Sequence, residues 1–330
     1  MFPALLRAAY VSTPANTPRC LVLGGKGFLG SHLVDGLLRQ GYSVRVFDRA
    51  NIAPLNDPAT AQRVEWVDGD FTSEADVAAA LTGCDVVFHL VSTTLPQSSN
   101  ADPVFDIETN VAGTARMLNH AVRHKVKKVV FISSGGTVYG IPRQVPVDED
   151  HPTNPICSYG ITKLAIEKYL HLYRTLHGLD YTVLRLSNPF GERQRIQASQ
   201  GAVAVFMGKV LRGEKIEIWG DGSVVRDYVY VGDVVDAMIK AIGPTGDERV
   251  FNIGSGAGVS LNTILDTIEA VTGRKAERTY TAARSFDVPV SVLSIARAKE
   301  ALGWTPATSF KDGLQRLTVW MQTHLASGRS

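Results

Sequence analysis

The tightest constraint on the fold is a glycine-rich turn between two regular elements. Cys20-Leu21-Val22-Leu23 reads as a short apolar strand, Gly24-Gly25-Lys26-Gly27-Phe28-Leu29-Gly30 follows, and Ser31 to Leu38 continue as a helix. Glycine lets the backbone turn tightly and leaves no Cβ between chain and ligand. The free N–H groups at the helix start then face an anion, normally a pyrophosphate. Ser43 to Phe47 is a second strand, and Asp48 ends it. An acidic residue about 20 positions past the turn is the one that holds an adenosine ribose. The glycines fit Gly25-x-Gly27-x-x-Gly30 and Gly24-x-x-Gly27-x-x-Gly30 alike. A plain tight turn also uses glycine, but the order strand, turn, helix, strand, acid points to a dinucleotide site. Gly24, Gly27, Phe28, Leu29, Gly30 and Asp48 are its candidate residues. The Asp48 charge repels a 2′-phosphate and favours NAD over NADP, with Arg49 counting against this.

Strand and helix signals then alternate. Val64–Val67, Asp85–Leu90, Lys128–Ser133 and Thr182–Leu186 are short, apolar, β-branched runs, as expected of parallel strands covered on both faces. Helices lie between them, the longest from about Val104 to His124. The pattern predicts an α/β fold with a doubly wound parallel sheet. After Leu186 it changes to short strands and helices of a smaller, interleaved α/β unit. The expected division is a flexible tail over 1–18, a dinucleotide domain over 19–186 to which 229–253 return, and a substrate domain over 187–228 and 254–330.

Composition removes other classes. The 330 residues carry a net charge of +2 with no Lys/Arg block, so nucleic acid is not an expected partner. No apolar run reaches the roughly 18 residues of a membrane span. Cys20, Cys84 and Cys157 are odd in number and far apart, and read as reduced residues of a cytoplasmic protein. No metal site is expected.

The second informative stretch is Tyr159-Gly160-Ile161-Thr162-Lys163. Tyr and Lys four apart share a helix face. A neighbouring ammonium and an oxidised nicotinamide stabilise a phenolate, so Tyr159 is the candidate base and Lys163 its partner. Together the two stretches resemble the extended short-chain dehydrogenase/reductase superfamily, and further stretches are similar to its nucleotide-sugar epimerase and dehydratase branch. The resemblance covers about residues 19–320. It implies cofactor contacts from Asp70 and Phe71, from Leu90 in Phe88-His89-Leu90, from Asn110, and from Ser133, Tyr159 and Lys163. It implies substrate contacts from Asn188, from Arg226 in Arg226-Asp227-Tyr228, from Arg284 and Asp287, and from Ser291 as a gate residue. His89 is expected to pack rather than react. Gly303-Trp304-Thr305-Pro306 resembles the family's C-terminal turn.

One departure stands out. Where the family has Ser or Thr four residues before the tyrosine of Ser133-Ser134-Gly135-Gly136-Thr137-Val138-Tyr139, this chain has Gly135. Ser134, Thr137 or a water must supply that hydroxyl. The stretch also lacks the adjacent Asp-Glu pair of the 4,6-dehydratases, which ranks 4-epimerisation above dehydration. The expected activity is NAD-dependent 4-epimerisation of a nucleotide-diphosphate hexose. The uncharged loop Val91–Pro96 favours a dTDP-6-deoxyhexose (dTDP-L-rhamnose/6-deoxy-L-talose), followed by UDP-glucose/galactose or N-acetyl forms. A nucleotide-sugar reductase or dehydratase of the same superfamily is the alternative, and a non-catalytic dinucleotide-sensing regulator the remote one. The resemblance implies a homodimer through the Val104–His124 and Tyr159 helices.

Overall fold

The computed structural model describes residues 17–96, 98–196, 201–282 and 288–326. Six strands come in chain order from the first half: β1 Arg19–Leu23, β2 Ser43–Asp48, β3 Glu65–Asp68, β4 Val86–His89, β5 Lys128–Ser134 and β6 Asp180–Leu186. Then follow β7 Asn188–Phe190, β8 Ile216–Trp219, β9 Val225–Tyr230, β10 Val250–Ile253, β11 Gly258–Ser260, β12 Arg278–Thr281 and β13 Val290–Ser291. The main sheet has seven parallel strands in the order β10-β6-β5-β4-β1-β2-β3. The α/β doubly wound expectation is met. The sheet is buried on both faces. On one side it meets Leu33, Val34 and Leu37 of the helix Phe28–Arg39, together with Val234, Val235 and Met238. On the other it meets Val77, Leu81, Met117, Leu118, Ile166 and Leu170.

The strand order reverses between β1 and β4. In open α/β sheets such a switch point opens a crevice at the carboxyl ends of the strands. Gly24 lies there with φ +85°, and a Cβ on it would sit 3.4 Å from the Leu90 carbonyl carbon and the Val91 nitrogen. The glycine turn is thus pressed against the end of β4.

The helix expected over Val104–His124 is built in three pieces: Pro103–Asp106, a wider π-turn over Ile107–Ala112, and Gly113–Arg123. Side chains disturb the ordinary ladder here. Thr109 Oγ1 donates to the Phe105 carbonyl, Asn110 Nδ2 to that of Asp106 and Thr114 Oγ1 to that of Asn110. Such competition for carbonyls, and π-turns at functional sites, are familiar features of helices.

The smaller unit holds a sheet of β11, β9 and β13, with β7 paired to β9, and the pair β12–β8. The helices Ala202–Arg212, Leu261–Thr272 and Phe310–Ala326 cover its core of Phe190, Met207, Ile264, Leu265, Leu314 and Leu317. Trp304, fully buried, donates its indole N–H to the Asp233 carbonyl, while Asp233's carboxylate accepts from the Ala307 and Thr308 N–H groups. The C-terminal turn is thereby tied back to the main sheet.

Candidate active site

The glycine turn forms an empty-walled cradle. A Cβ on Gly30 would lie 2.3 Å from the Gly24 carbonyl oxygen and 2.6 Å from the Gly25 Cα, both backbone atoms that cannot yield. Gly27 caps the helix Phe28–Arg39 in extended conformation, and no side chain occupies the cap. The first-turn N–H groups of Phe28, Leu29 and Gly30 have no i−4 partner within a helix and face the crevice opening. A cradle that a Cβ would fill, joined to an uncapped helix start, fits a dinucleotide pyrophosphate. Asp48 Oδ2 accepts from the Lys26 N–H at 2.9 Å and Oδ1 from the Arg49 N–H at 2.8 Å. This aims the carboxylate at the turn, where a ribose would sit. Asp70 is exposed, its carboxylate accepting from Thr72 N and Oγ1. The Phe71 side chain is in the core against the His89 ring, so only its backbone is open to an adenine.

Tyr159 and Lys163 stand on the helix Ser158–His177. Lys163 is buried, donates to the Ile132 carbonyl at 3.0 Å, and lies over the rings of Phe131 (4.8 Å) and Tyr159 (5.5 Å). Burial pushes its ammonium down to about 8, opposed by the carboxylates of Asp106 and Glu167. Tyr159 is half-buried, and its hydroxyl has no hydrogen-bond partner among the described residues. Burial, then Cys157 and Asp106, push its phenol above the ordinary tyrosine value. In the chain by itself desolvation therefore dominates the phenol, and the lowering expected from Lys163 together with an oxidised nicotinamide belongs to the cofactor-loaded site.

The glycine at 135 has a steric cause. A Cβ there would lie 2.6 Å from Leu293 Cδ1 and 3.2 Å from the Arg185 carbonyl, so Leu293 fills the space a Ser or Thr would need. Thr137 Oγ1 is buried with no hydrogen-bond partner among the described residues. Thr137 also packs against the Tyr159 helix: a Cβ on Gly160 would lie 2.9 Å from the Thr137 carbonyl and 3.2 Å from its Cβ. A buried hydroxyl without a partner is costly unless something else satisfies it. Ser134 sits at the end of β5, its hydroxyl unengaged among the described residues. Ser133's hydroxyl is instead engaged with Glu167 Oε1 at 2.6 Å.

In the smaller unit, Asn188 Nδ2 donates to the Asp227 carbonyl at 2.8 Å. Arg226 and Ser291 are directly paired in register on β9 and β13. Arg226 Nη1 donates to the carbonyls of Val225 and Val288. Arg284 and Asp287 lie outside the described residues. In the uncharged loop after β4, two hydroxyls are engaged by the protein itself. Thr93 Oγ1 meets Thr109 Oγ1 and accepts from Asn110, and Thr94 donates to Asp106. Asn110 itself is buried in that network, accepting from the Thr93 N–H.

Sequence reasoning missed several residues. Lys26 crosses the turn to Asp68 Oδ1 (2.7 Å) and the Arg49 carbonyl (3.0 Å), and only its place inside the glycine motif hinted at a role. Glu167 and Arg185 form a buried two-pronged ion pair that continues through Tyr139 to Asn252. Asp227, buried, gathers N–H groups from Ser255, Gly256 and Leu293. Asp106 is fully buried between the π-turn and the Tyr159 helix. These partners are far apart in sequence and left no local signal.

Residues 20–254 match the NAD dependent epimerase/dehydratase family. A relative from Methanocaldococcus jannaschii described as a putative UDP-glucose 4-epimerase is 37% identical over 305 residues, 92% of this chain and 98% of that protein. Two solved structures align over nearly their whole length. A UDP-glucose 4-epimerase from Thermotoga maritima, solved with UDP-glucose, has a TM-score of 0.87 at 37% identity, covering 93% of this chain and 99% of that one. A UDP-glucose 4-epimerase from Thermus thermophilus, in complex with NAD, has a TM-score of 0.83 at 32% identity, covering 92% and 99%. With the glycine cradle at the switch point and the Tyr159–Lys163 helix beside it, the chain belongs to the NAD-dependent epimerase/dehydratase family and is an enzyme of its nucleotide-sugar 4-epimerase type.

Proposed function

We propose that the protein interconverts a UDP-hexose with its 4-epimer. The observation that carries this reading is the placement of a partnerless Tyr159 hydroxyl and a buried Lys163 beside the end of β5, where the stretch Gly135-Gly136-Thr137-Val138 carries no acidic pair. Proton transfer at O4 has a candidate group, and elimination of water has none. The UDP-glucose 4-epimerases among the relatives give the lean to a 6-deoxy sugar no support. UDP-glucose/galactose or their N-acetyl forms come first, in line with the names of the relatives.

The bound NAD supplies reversible acceptance of hydride at the sugar C4. Gly24, Gly27, Phe28, Leu29 and Gly30 would hold its pyrophosphate and Asp48 its ribose. Tyr159 moves the proton at O4, taking it as the C4–H bond breaks and returning it to either epimer. Lys163 holds positive charge beside the phenol and lowers the cost of the phenolate. The Thr137 hydroxyl orients the O4 proton in place of a residue at 135, with Ser134 as the competing candidate. Arg226, with Arg284 and Asp287, grips the diphosphate, and a bidentate guanidinium suits that task. The keto sugar then turns about its phosphate link while the anchor stays in place, with Ser291 beside it as a small gate.

Assembly as a homodimer is supported by exposed apolar side chains on the two helical segments involved: Val104, Phe105 and Ile107 on one, Ile161, Leu172 and Leu176 on the other. The deciding experiment incubates the purified holoenzyme with UDP-galactose, UDP-N-acetylglucosamine and dTDP-L-rhamnose, and resolves the products. UDP-hexose epimers formed without net cofactor turnover are expected. Stoichiometric consumption of NAD(P)H would identify a reductase instead. In the same assay Thr137→Val should lower turnover clearly more than Ser134→Ala.

A further inference from the structure

We propose that Asp106 is a positioning residue for the Tyr159–Lys163 pair, a buried counter-charge that braces the first turn of their helix and holds Lys163 as an ammonium. The inference rests on the roles given to Tyr159 and Lys163 above. Asp106 is fully buried where the short helix Pro103–Asp106 passes into the π-turn. Its Oδ1 accepts from Thr94 Oγ1 at 2.6 Å and Asn110 Nδ2 at 2.8 Å. Its Oδ2 accepts from Ser158 Oγ at 2.7 Å and lies 3.4 Å from Thr162 Oγ1, whose proton goes to the Tyr159 carbonyl at 3.0 Å. Ser158 precedes Tyr159 and Thr162 precedes Lys163, so the carboxylate holds the helix through Ser158 and lies against the turn that carries Lys163. Every partner is a donor, which is the pattern that a carboxylate accepts.

Among the described residues no Lys, Arg or His nitrogen lies within salt-bridge reach of Asp106. A buried carboxylate left so is expensive unless a charge compensates it through space. Lys163 is the candidate. The other acid facing Lys163 is Glu167, four residues on along the same helix, and Arg185 from β6 already neutralises it bidentately. His89 from β4 faces the same space and stays neutral, its ring held down to about 3 by burial and by Lys163. Cys157, at the start of the helix, also faces Tyr159. Asp106 is therefore the one uncompensated negative charge, among the described residues, aimed at the pair.

The charge acts on both members in one direction. It raises the proton affinity of Lys163 and of Tyr159. Removing it while keeping the shape should make both groups give up protons at lower pH. The two limbs of the rate profile report the ionisations of Tyr159 and Lys163 as an interacting pair. Both limbs should then move acidward together. A residue that only braced the helix would lower stability, or turnover at every pH, and leave the limbs in place.

The test measures kcat against pH for UDP-galactose epimerisation by NAD-loaded wild type, Asp106→Asn and Ser158→Ala. In Asp106→Asn both limbs should shift down by about one pH unit, so turnover on the alkaline limb drops about tenfold. Ser158→Ala removes a hydrogen bond but keeps the charge, and should lower Tm with the limbs unmoved. The same acidward shift is required of Asp106→Ser, a smaller neutral replacement that admits water, so the inference stands or falls on whichever neutral variant folds. Unmoved limbs in that variant, or equal movement in Ser158→Ala, would overturn it. Tyr159→Phe is run alongside, with an expected loss of about 10²–10⁴-fold. Full turnover in Tyr159→Phe would remove the underlying reading, whereas an inactive Tyr159→Phe with unmoved limbs in Asp106→Asn removes only this one.

Discussion

The dinucleotide half and the substrate half of the crevice are built on different plans. In the first, residues within seven positions of one another make the cradle, and what matters is the side chains they lack. Gly24 turns at positive φ, Gly30 nests against the Gly24 carbonyl, and the helix begins uncapped. In the second, each anchor is assembled from distant strands. Arg226 meets Ser291 across β9 and β13, and Asp227 collects Ser255, Gly256 and Leu293. The Leu293 side chain packs over Gly135, just past the end of β5, so a segment next to the substrate-side strands narrows the room there. The comparison teaches that a tight turn free of side chains can be encoded locally, while the strands of the smaller unit depend on non-local pairing.

The largest effect is expected where the local plan has no slack. Gly30→Ala puts a methyl 2.3 Å from a backbone oxygen, so purified protein should lose its bound NAD and unfold at a markedly lower temperature. Overpacking of this kind costs about 1–3 kcal/mol or more, and the backbone cannot move aside. Gly27→Ala, with its nearest atom at 3.3 Å, should be milder. Equal retention of dinucleotide by both variants, read after denaturation, would break the idea that the cradle is defined by absent side chains.

A middle effect is expected at the non-local hub. Asp227→Ala strands the buried Leu293 N–H and removes the acceptor of the Ser255 and Gly256 N–H groups, and leaving a buried donor unsatisfied costs about 1–3 kcal/mol. Denaturant unfolding should register that loss, and KM for the UDP-sugar should rise more than kcat falls, because β9 also carries Arg226. An unchanged KM would separate the hub from the diphosphate anchor.

The smallest effect sharpens the comparison from inside the dinucleotide half. His89, buried against Phe71 and Phe131, has its ring held down to about 3, chiefly by burial. The unfolded chain binds this proton near the ordinary histidine value and the folded chain does not. Stability from this residue is therefore full above about pH 6.5 and declines as pH falls toward 3. Between pH 7.5 and 5.5 the loss is about 1 kcal/mol. Chemical unfolding at the two pH values measures it, and His89→Phe should abolish most of the difference.

Much of the fold was legible in the residues alone, because its signals are short-range. A parallel strand covered on both faces needs a continuous apolar run, a helix needs its period, and the glycine turn needs φ and space that only Gly30 and its neighbours provide. The four-residue spacing of Tyr159 and Lys163 is equally a matter of helix geometry. The break of the Val104–His124 helix into a π-turn was not legible, since the hydroxyls and amide that widen it are ordinary helix residues until Thr93, Thr94 and Asp106 engage them.

By itself, then, the sequence determined the doubly wound sheet, the glycine turn at its switch point and the helix that carries Tyr159 and Lys163. Each of these follows from residues a turn or a strand apart. Only the tertiary structure decided why position 135 is glycine, which hydroxyl near it is left without a partner, what Asp106 and Asp227 hold, and in which direction the Tyr159 phenol is displaced. These depend on Leu293 reaching Gly135 from 158 positions away and on water being excluded from the site by every element packed around it. Desolvation is a property of the whole environment, and no local pattern of residues contains it.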